Sequence, residues 1–278
     1  MNERRISEIW IYPIKSLAGI RLQKAAVQQK GLQHDRRWML VDEKGRFLTQ
    51  REHPEMALFS VNIDNNHLVV GRQTTANGLP PSIRIELHRE HSVNSLKVQI
   101  WDDQVDAVEV DPAYSAWFSD KINIDCRLVF FPEKSRRDVD SNYVVNNEQV
   151  SLADGYPFLI IGQSSLDGLN KKLADPVTIK RFRPNFVFTG GLPHEEDTWK
   201  NLKVGSVTFE GVKPCSRCVL TTVNPETAEK GVEPLRTLST YRNVNGKVCF
   251  GENLVARSSG EVYEGDLIEM IDFKNQQL

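Results

Sequence analysis

Apolar and polar residues alternate in short runs along most of this chain, and a period of two predicts strands that bury one face. Residues 6–12 set the pattern. Ile9 and Ile11 face one way and Trp10 and Tyr12 the other, until Pro13 removes a backbone donor and ends the ladder. Lys15 and Ser16 then fall on a loop. Residues 37–41 run into Asp42-Glu-Lys-Gly45 and return over 46–49, which predicts a hairpin with glycine where a positive φ is needed. Asp35 and Arg36 stand at its entrance. Shorter strands are expected at 59–63 and 68–70, a loop at the Gly/Pro-rich 77–81, and a second hairpin in which 97–101 and 105–110 flank 102–104.

Helical signals are fewer. Asp111 can accept from first-turn amides and Pro112 suits the first helical position, so 111 to about 121 reads as a helix with Trp117 on its apolar face. After a strand at 128–131, the charged stretch 133–140 reads as a solvated loop, or more sharply as a lid whose Arg136 and Arg137 meet an anion. The continuous apolar run 158–161 follows, then a helix capped by Ser164 that carries Leu166, Leu169 and Leu173, with Asp167 as a weak capping-box partner. Strands are expected again at 186–188, 206–209, 219–223, 248–250, 254–257 and 267–271, and a short helix at 233–242 entered through Pro234. Many short strands with few helices predict a mainly β fold of the β-barrel type, and the length allows two such barrels.

Composition narrows the partners. With 35 basic and 37 acidic residues in 278, the net charge of −2 gives no drive toward nucleic-acid polymers or anionic membranes. The first residues lack an apolar signal core and no run approaches a membrane span, so a cytoplasmic protein is expected. Its four cysteines are then expected to be reduced and free for a metal.

Chemistry concentrates in Lys213-Pro-Cys-Ser-Arg-Cys-Val-Leu-Thr-Thr-Val223, where Arg217 separates two thiols and is expected to lower their pKa. Spacing alone leaves three uses open. A thioredoxin-like pair needs its first thiol at a helix N-terminus, whereas the residues after Cys218 read as a strand. Zinc needs four ligands, and with Cys126 and Cys249 isolated, only His88-Arg-Glu-His91 offers a partner pair for Cys215 and Cys218 in a zinc-stabilised binding module. A single thiolate on a soft transition metal is the third use. Two small buried side chains are the plain alternative.

Basic and amide groups elsewhere suit an anionic ligand. Lys15-Ser16 supplies an ammonium and a hydroxyl, and Arg36 and Arg183 can fork onto oxyanions, although any lone arginine is more often a surface ion pair. In Arg183-Pro-Asn185 the proline is expected to hold the arginine backbone extended, presenting two planar hydrogen-bonding groups. Asp154, between Ala153 and Gly155, is a turn-former or a proton carrier.

The stretch Pro-Cys-Ser-Arg-Cys-Val-Leu-Thr-Thr-Val, followed by Glu233-Pro-Leu-Arg-Thr-Leu and Tyr241-Arg242, resembles the signature of MOSC-domain proteins. Within that family it is similar to the mitochondrial amidoxime reducing components and the bacterial hydroxylaminopurine reductases. Tyr12-Pro-Ile-Lys-Ser16, Asp35-Arg-Arg-Trp38, Ala153-Asp-Gly-Tyr-Pro-Phe158 and Phe182-Arg-Pro-Asn185 extend the resemblance over nearly the whole chain. It implies an N-terminal MOSC-associated β-barrel-like domain over 1–125 and a MOSC β-barrel domain over 126–278. It also implies the molybdenum cofactor, a molybdopterin contacted by Lys15, Ser16, Arg36, Arg183, Asn185, Ser216 and Arg217. Cys218 rather than Cys215 would ligate molybdenum, and Asp154 would lie beside it.

The activity implied is two-electron reduction of N-hydroxylated compounds such as hydroxylamines, N-hydroxylated bases and amidoximes. The alternative is a carrier or transferase of cofactor or sulfur without reductase activity. Some bacterial relatives continue into an iron–sulfur domain, whereas here no cysteine follows Cys249. A separate electron donor is therefore expected, ferredoxin-like, cytochrome b5-like or a flavoprotein reductase, unless the chain is part of a longer protein.

Overall fold

The computed structural model describes residues 3–72, 82–87, 95–143 and 145–274. The fold is mostly β, with three α-helices among the described residues. The expected loop at 77–81 lies outside them, as do His88 and His91.

The largest sheet has nine strands. Its main path runs Ile268–Phe273, Trp199–Val204, Val207–Ser216, Lys247–Ala256, Phe158–Gly162, Phe186–Thr189, Arg5–Ile11 and Ile20–Leu22. The Arg5–Ile11 strand also bonds across to the opposite end, Ile6 N donating to Asp266 O at 2.9 Å and Ile268 N to Arg4 O at 2.9 Å. These bonds curl the sheet back on itself as a barrel and leave few open edges. A strand from the chain start thus closes a barrel built from the chain's second half.

Phe158–Gly162 explains its own lack of alternation. It runs parallel to Phe186–Thr189 and antiparallel to Lys247–Ala256, and all five residues are buried. With neighbours on both edges and both faces covered, every side chain is apolar. The two strands expected at 248–250 and 254–257 are one, Lys247–Ala256.

A four-stranded sheet orders Trp38–Val41, Arg127–Phe130, Asp103–Glu109 and Ser95–Ile100. Trp38–Val41 takes its ladder from Arg127–Phe130, whereas the expected return at 46–49 contributes single bridges, Val41 with Phe47 and a backbone bond from Leu48 to Leu40. Gly45 has φ 78° and a Cβ there would stand 2.8 Å from Lys97 O, so this turn needs glycine on both counts. The hairpin of Ser95–Ile100 and Asp103–Glu109 turns at Trp101 and Asp102, and Trp101 adopts φ 56°. The helix Pro112–Ile122 begins as expected, Asp111 Oδ1 accepting from Ala113 N at 2.8 Å.

Two local expectations are corrected. The helix Gln163–Asn170 starts after Gly162 with no side-chain cap; Ser164 Oγ is buried without a partner among the described residues, and Ser165 turns inward onto Glu196. Leu166 and Leu169 do face the core. Residues 219–223, read as a strand, hold the 3-10 turn Val219–Thr222. Thr221 Oγ1 donates to Cys218 O at 3.0 Å and Thr222 Oγ1 to Val219 O at 2.8 Å. Threonine hydroxyls that satisfy carbonyls three residues back favour a turn over the strand that β-branching suggests.

Candidate functional site

The thiol segment leaves the large sheet at its bulged corner. Val207–Ser216 pairs with Lys247–Ala256, and the register slips between Pro214 and Ser216, where proline has no ladder donor to give. Arg217 N then donates to Val248 O at 2.7 Å, and the chain turns away through Cys218. This geometry separates the two thiols. Cys215 is half-buried at the strand end, whereas Cys218 is exposed at the mouth of a cleft of about 960 Å³.

All nine residues singled out from the sequence line that cleft: Lys15, Ser16, Arg36, Asp154, Arg183, Asn185, Ser216, Arg217 and Cys218. Five separate chain segments bring them there. Three of them, Ser16 with φ 67°, Arg36 with φ 49° and Arg183 with φ 55°, occupy the left-handed region that costs a non-glycine residue energy and clusters at functional sites. The extended backbone expected of Arg183 is therefore not found. Its chain arrives from the 3-10 turn Ile179–Arg181 with Phe182 right-handed, and Pro184 bars a further right-handed residue. The left-handed step that results is locked by Arg183 Nη1 donating to Leu17 O at 2.7 Å and Arg36 Nη2 donating to Arg183 O at 3.0 Å.

Arg36 and Arg183 both lie on the Tyr12 ring, 4.3 and 4.2 Å from its centroid. Arg36 also donates to Asp35 Oδ2 at 2.6 Å. Burial lowers the Arg183 pKa to about 10, with the nearby Arg36 charge adding to the effect. Burial likewise pushes the Tyr12 phenol up to about 12.

The Asn185 amide is spent within the protein. Its Oδ1 accepts from Leu159 N at 3.2 Å and its Nδ2 donates to Trp10 O at 3.2 Å. It builds the cleft floor and has little left to offer a ligand edge. Arg217 donates through Nη2 to Phe182 O at 2.7 Å and through Nη1 to Cys215 Sγ at 2.9 Å. Even so, burial raises the Cys215 thiol above its ordinary value against the pull of Arg217, so the expected activation of this thiol does not occur. Arg51 reaches Cys218, its Nη1 standing 3.7 Å from Sγ.

Opposite the thiols, Lys15 Nζ donates to Asp154 Oδ1 at 2.6 Å and to Leu152 O at 2.9 Å. Burial lowers the Lys15 ammonium to about 8, although the Asp154 charge opposes this. Burial pushes the Asp154 carboxyl upward, but Lys15, Arg51 and the Trp101 indole together outweigh it and hold the group well below the usual carboxylate range. Asp154 is therefore an anion at neutral pH, and the proton of this pair rests on Lys15 Nζ.

The charged stretch 133–140 splits its two arginines. Arg136 stays on the surface with Asp138, whereas Arg137 is buried and donates to Ser151 O, Ala153 O, Asp154 O and Asp103 Oδ2. It ties the Asp154 loop to the hairpin turn and is no lid. Sequence reasoning missed Arg51 and Trp101. The one available signal was a tryptophan at a hairpin turn, a place that favours Gly, Asn and Asp.

Among the described residues no group of three or more His, Cys, Asp or Glu side chains is placed to hold a metal ion, so the proposed zinc set gains no further ligand there. The lining instead suits an anionic group that brings its own metal. Basic side chains surround one exposed thiol, and Arg217 Nε is buried with no partner among the described residues, a donor left over for such a ligand.

Residues 3–125 match the MOSC N-terminal beta barrel domain and residues 147–269 the MOSC domain, and the chain belongs to the MOSC-domain family. It is 31% identical to mitochondrial amidoxime-reducing component 1 of Mus musculus, over 96% of this chain and 82% of that protein. It is 34% identical to mitochondrial amidoxime reducing component 2 of Bos taurus, over 85% and 72%. The molybdenum cofactor sulfurase of Solanum lycopersicum is 30% identical over 88% of this chain, which spans 32% of that longer protein. No described helix is long and apolar enough to cross a membrane.

Proposed function

We propose that this protein is a molybdenum-cofactor-dependent reductase of N-hydroxylated compounds, re-reduced by a separate electron-donor protein. The observation that carries the reading is the single exposed thiol of Cys218 at a cleft lined by Lys15, Arg36, Arg183 and Arg217. Relatives named for amidoxime reduction support the reaction class.

Lys15, Ser16, Arg36, Arg183 and Arg217 would hold the pterin and its phosphate, and Cys218 would take the metal as a thiolate. When bound, the cofactor would supply the two-electron redox couple. In the net reaction the N–O bond breaks, two electrons and two protons enter, and an amine or amidine leaves with water. Lys15 Nζ holds a proton next to the reacting region, and Asp154 passes it on or accepts it as an oxygen base. Cys215, its thiol bonded to Arg217, props the guanidinium against Phe182 and takes no metal.

The test is elemental analysis of protein made in a host with intact molybdopterin synthesis, paired with turnover of an amidoxime by an artificial reductant. Near-stoichiometric molybdenum with turnover supports the reductase. The similarity to a molybdenum cofactor sulfurase favours a second reading, a carrier or transferase of cofactor or sulfur. Persulfide on a thiol after incubation with a desulfurase, without turnover, would move the assignment there.

A further inference from the structure

The cleft arginines are not alike. Arg36, Arg137, Arg183 and Arg217 each donate to a protein oxygen, whereas among the described residues Arg51 donates its side chain to none. Among the described residues its side-chain bond is the 3.7 Å approach to Cys218 Sγ. Such a guanidinium, set in a cleft and with no ion pair among the described residues, keeps most of its fork for a ligand.

Its position is built. The Arg51 backbone N donates to Thr49 Oγ1, and the neighbouring Gln50 Nε2 donates to Ser16 O at 2.7 Å, so the Arg51 turn is tied to the Ser16 loop. The guanidinium lies 4.2 Å over the Trp101 ring, and Trp101 in turn packs 5.3 Å from Phe47. Trp101 holds a left-handed φ of 56° while leaving 42% of itself exposed. A bulky residue kept in that strained region, at a cleft mouth, points to a role that the turn itself does not require.

Trp101 also links Arg51 to an acceptor. Its Nε1 donates to Asp154 Oδ1 at 3.2 Å, the oxygen that takes Lys15, and among the described residues Asp154 Oδ2 receives no protein donor. The result is an open donor and an open acceptor, spaced by an indole, beside the Cys218 thiol.

We propose that Arg51, held over the Trp101 ring, is a substrate-orienting residue that binds the oxygen of an N–O group beside Cys218 while Asp154 Oδ2 accepts from an adjacent N–H. The inference rests on the reductase reading above. It selects substrates in which an N–H lies next to the N-hydroxyl, an amidine-type arrangement, over tertiary N-oxides that carry no such hydrogen. Lysine cannot replace Arg51, because an ammonium neither lies flat on an indole nor forks.

The experiment is calorimetric binding of an aromatic amidoxime and of its amidine, which lacks the oxygen, to oxidised holoenzyme without reductant. In Arg51→Ala the pterin and molybdenum contents are expected to stay at the wild-type level. Amidoxime binding and KM should weaken on the order of 10- to 100-fold, as the loss of a charge-assisted hydrogen bond implies, while amidine binding is unchanged or tighter. Arg51→Lys should recover little, and Trp101→Phe more than Trp101→Ala. Equal weakening toward both ligands, no weakening toward either, or loss of cofactor from Arg51→Ala would overturn the assignment while leaving the reductase reading intact. A molybdenum-loaded wild-type chain that neither binds nor reduces any N-hydroxylated compound would overturn both.

Discussion

Adjacent residues of the Lys247–Ala256 strand serve two polar regions of opposite character. Asn253 lines the cleft with its cations, whereas Glu252 is fully buried in a carboxylate cluster with Glu196 close by. In the cleft, buried cations are satisfied by backbone carbonyls and carboxylates, and among the described residues Arg217 Nε is a donor left over. In the cluster, burial pushes Glu196 up to about 7 and Glu252 up to about 8, even though Gly162 N and Ser165 donate to the first and Lys274 to the second. Among the described residues Glu252 Oε2 has no partner. Burial alone therefore does not mark a functional site. Unspent donors around an accessible thiol do, while unspent acceptors sealed inside a sheet mark a cost to stability.

The comparison is tested most severely at the thiols. Cys218→Ala is expected to lose molybdenum and activity together, whereas Cys215→Ser keeps both within about tenfold, the size of an effect transmitted through a ligand's support. Metal content and turnover on the same preparations decide it, and equal loss in the two variants would overturn the ligand assignment. Next in size is the contrast between arginines. Arg183→Ala should release pterin during gel filtration, while Arg137→Ala should retain it and slow turnover by roughly tenfold through a displaced Asp154 loop. Pterin fluorescence per chain is the readout.

A third effect follows from Lys15. With its ammonium lowered to about 8, turnover limited by proton supply should fall as pH rises through about 8. The pH–rate profile of Lys15→Arg should lose that limb. The smallest effect belongs to the buried cluster. Glu252 binds its proton up to about pH 8 in the fold but only to its ordinary 4.5 when unfolded, so its contribution is complete at low pH and is lost as pH rises through about 8. Glu252→Gln should flatten the fall in stability between pH 6 and pH 8 by on the order of 2 kcal/mol. Denaturant melts of both proteins across that range measure the slope, and parallel slopes would mean that Glu252 is already ionised in the fold.

Much of this molecule was legible in the chain. Period-two alternation marked the strands, Asp111-Pro112 marked a helix start, and the motif residues named in advance converge on one cleft. These signals are local, since each depends on side chains within a few positions of one another. The failures have physical causes of the same local kind. Thr221 and Thr222 carry strand propensity but spend their hydroxyls on turn carbonyls. Arg183 escapes the extended state because the turn before it delivers the chain from another direction.

From residue order alone one reads that the fold is mostly β, that one stretch holds the two thiols of the cleft, and which basic residues suit an anion. Which thiol is exposed, that Arg217 bonds Cys215 while Arg51 approaches Cys218, and that Trp101 joins the site from a hairpin turn more than a hundred positions before Cys218 are visible only in the folded chain. The physical reason is that burial and charge neighbours arise from contacts between distant segments. A thiol's accessibility or a guanidinium's partner is a property of that packing and is not encoded at either position alone.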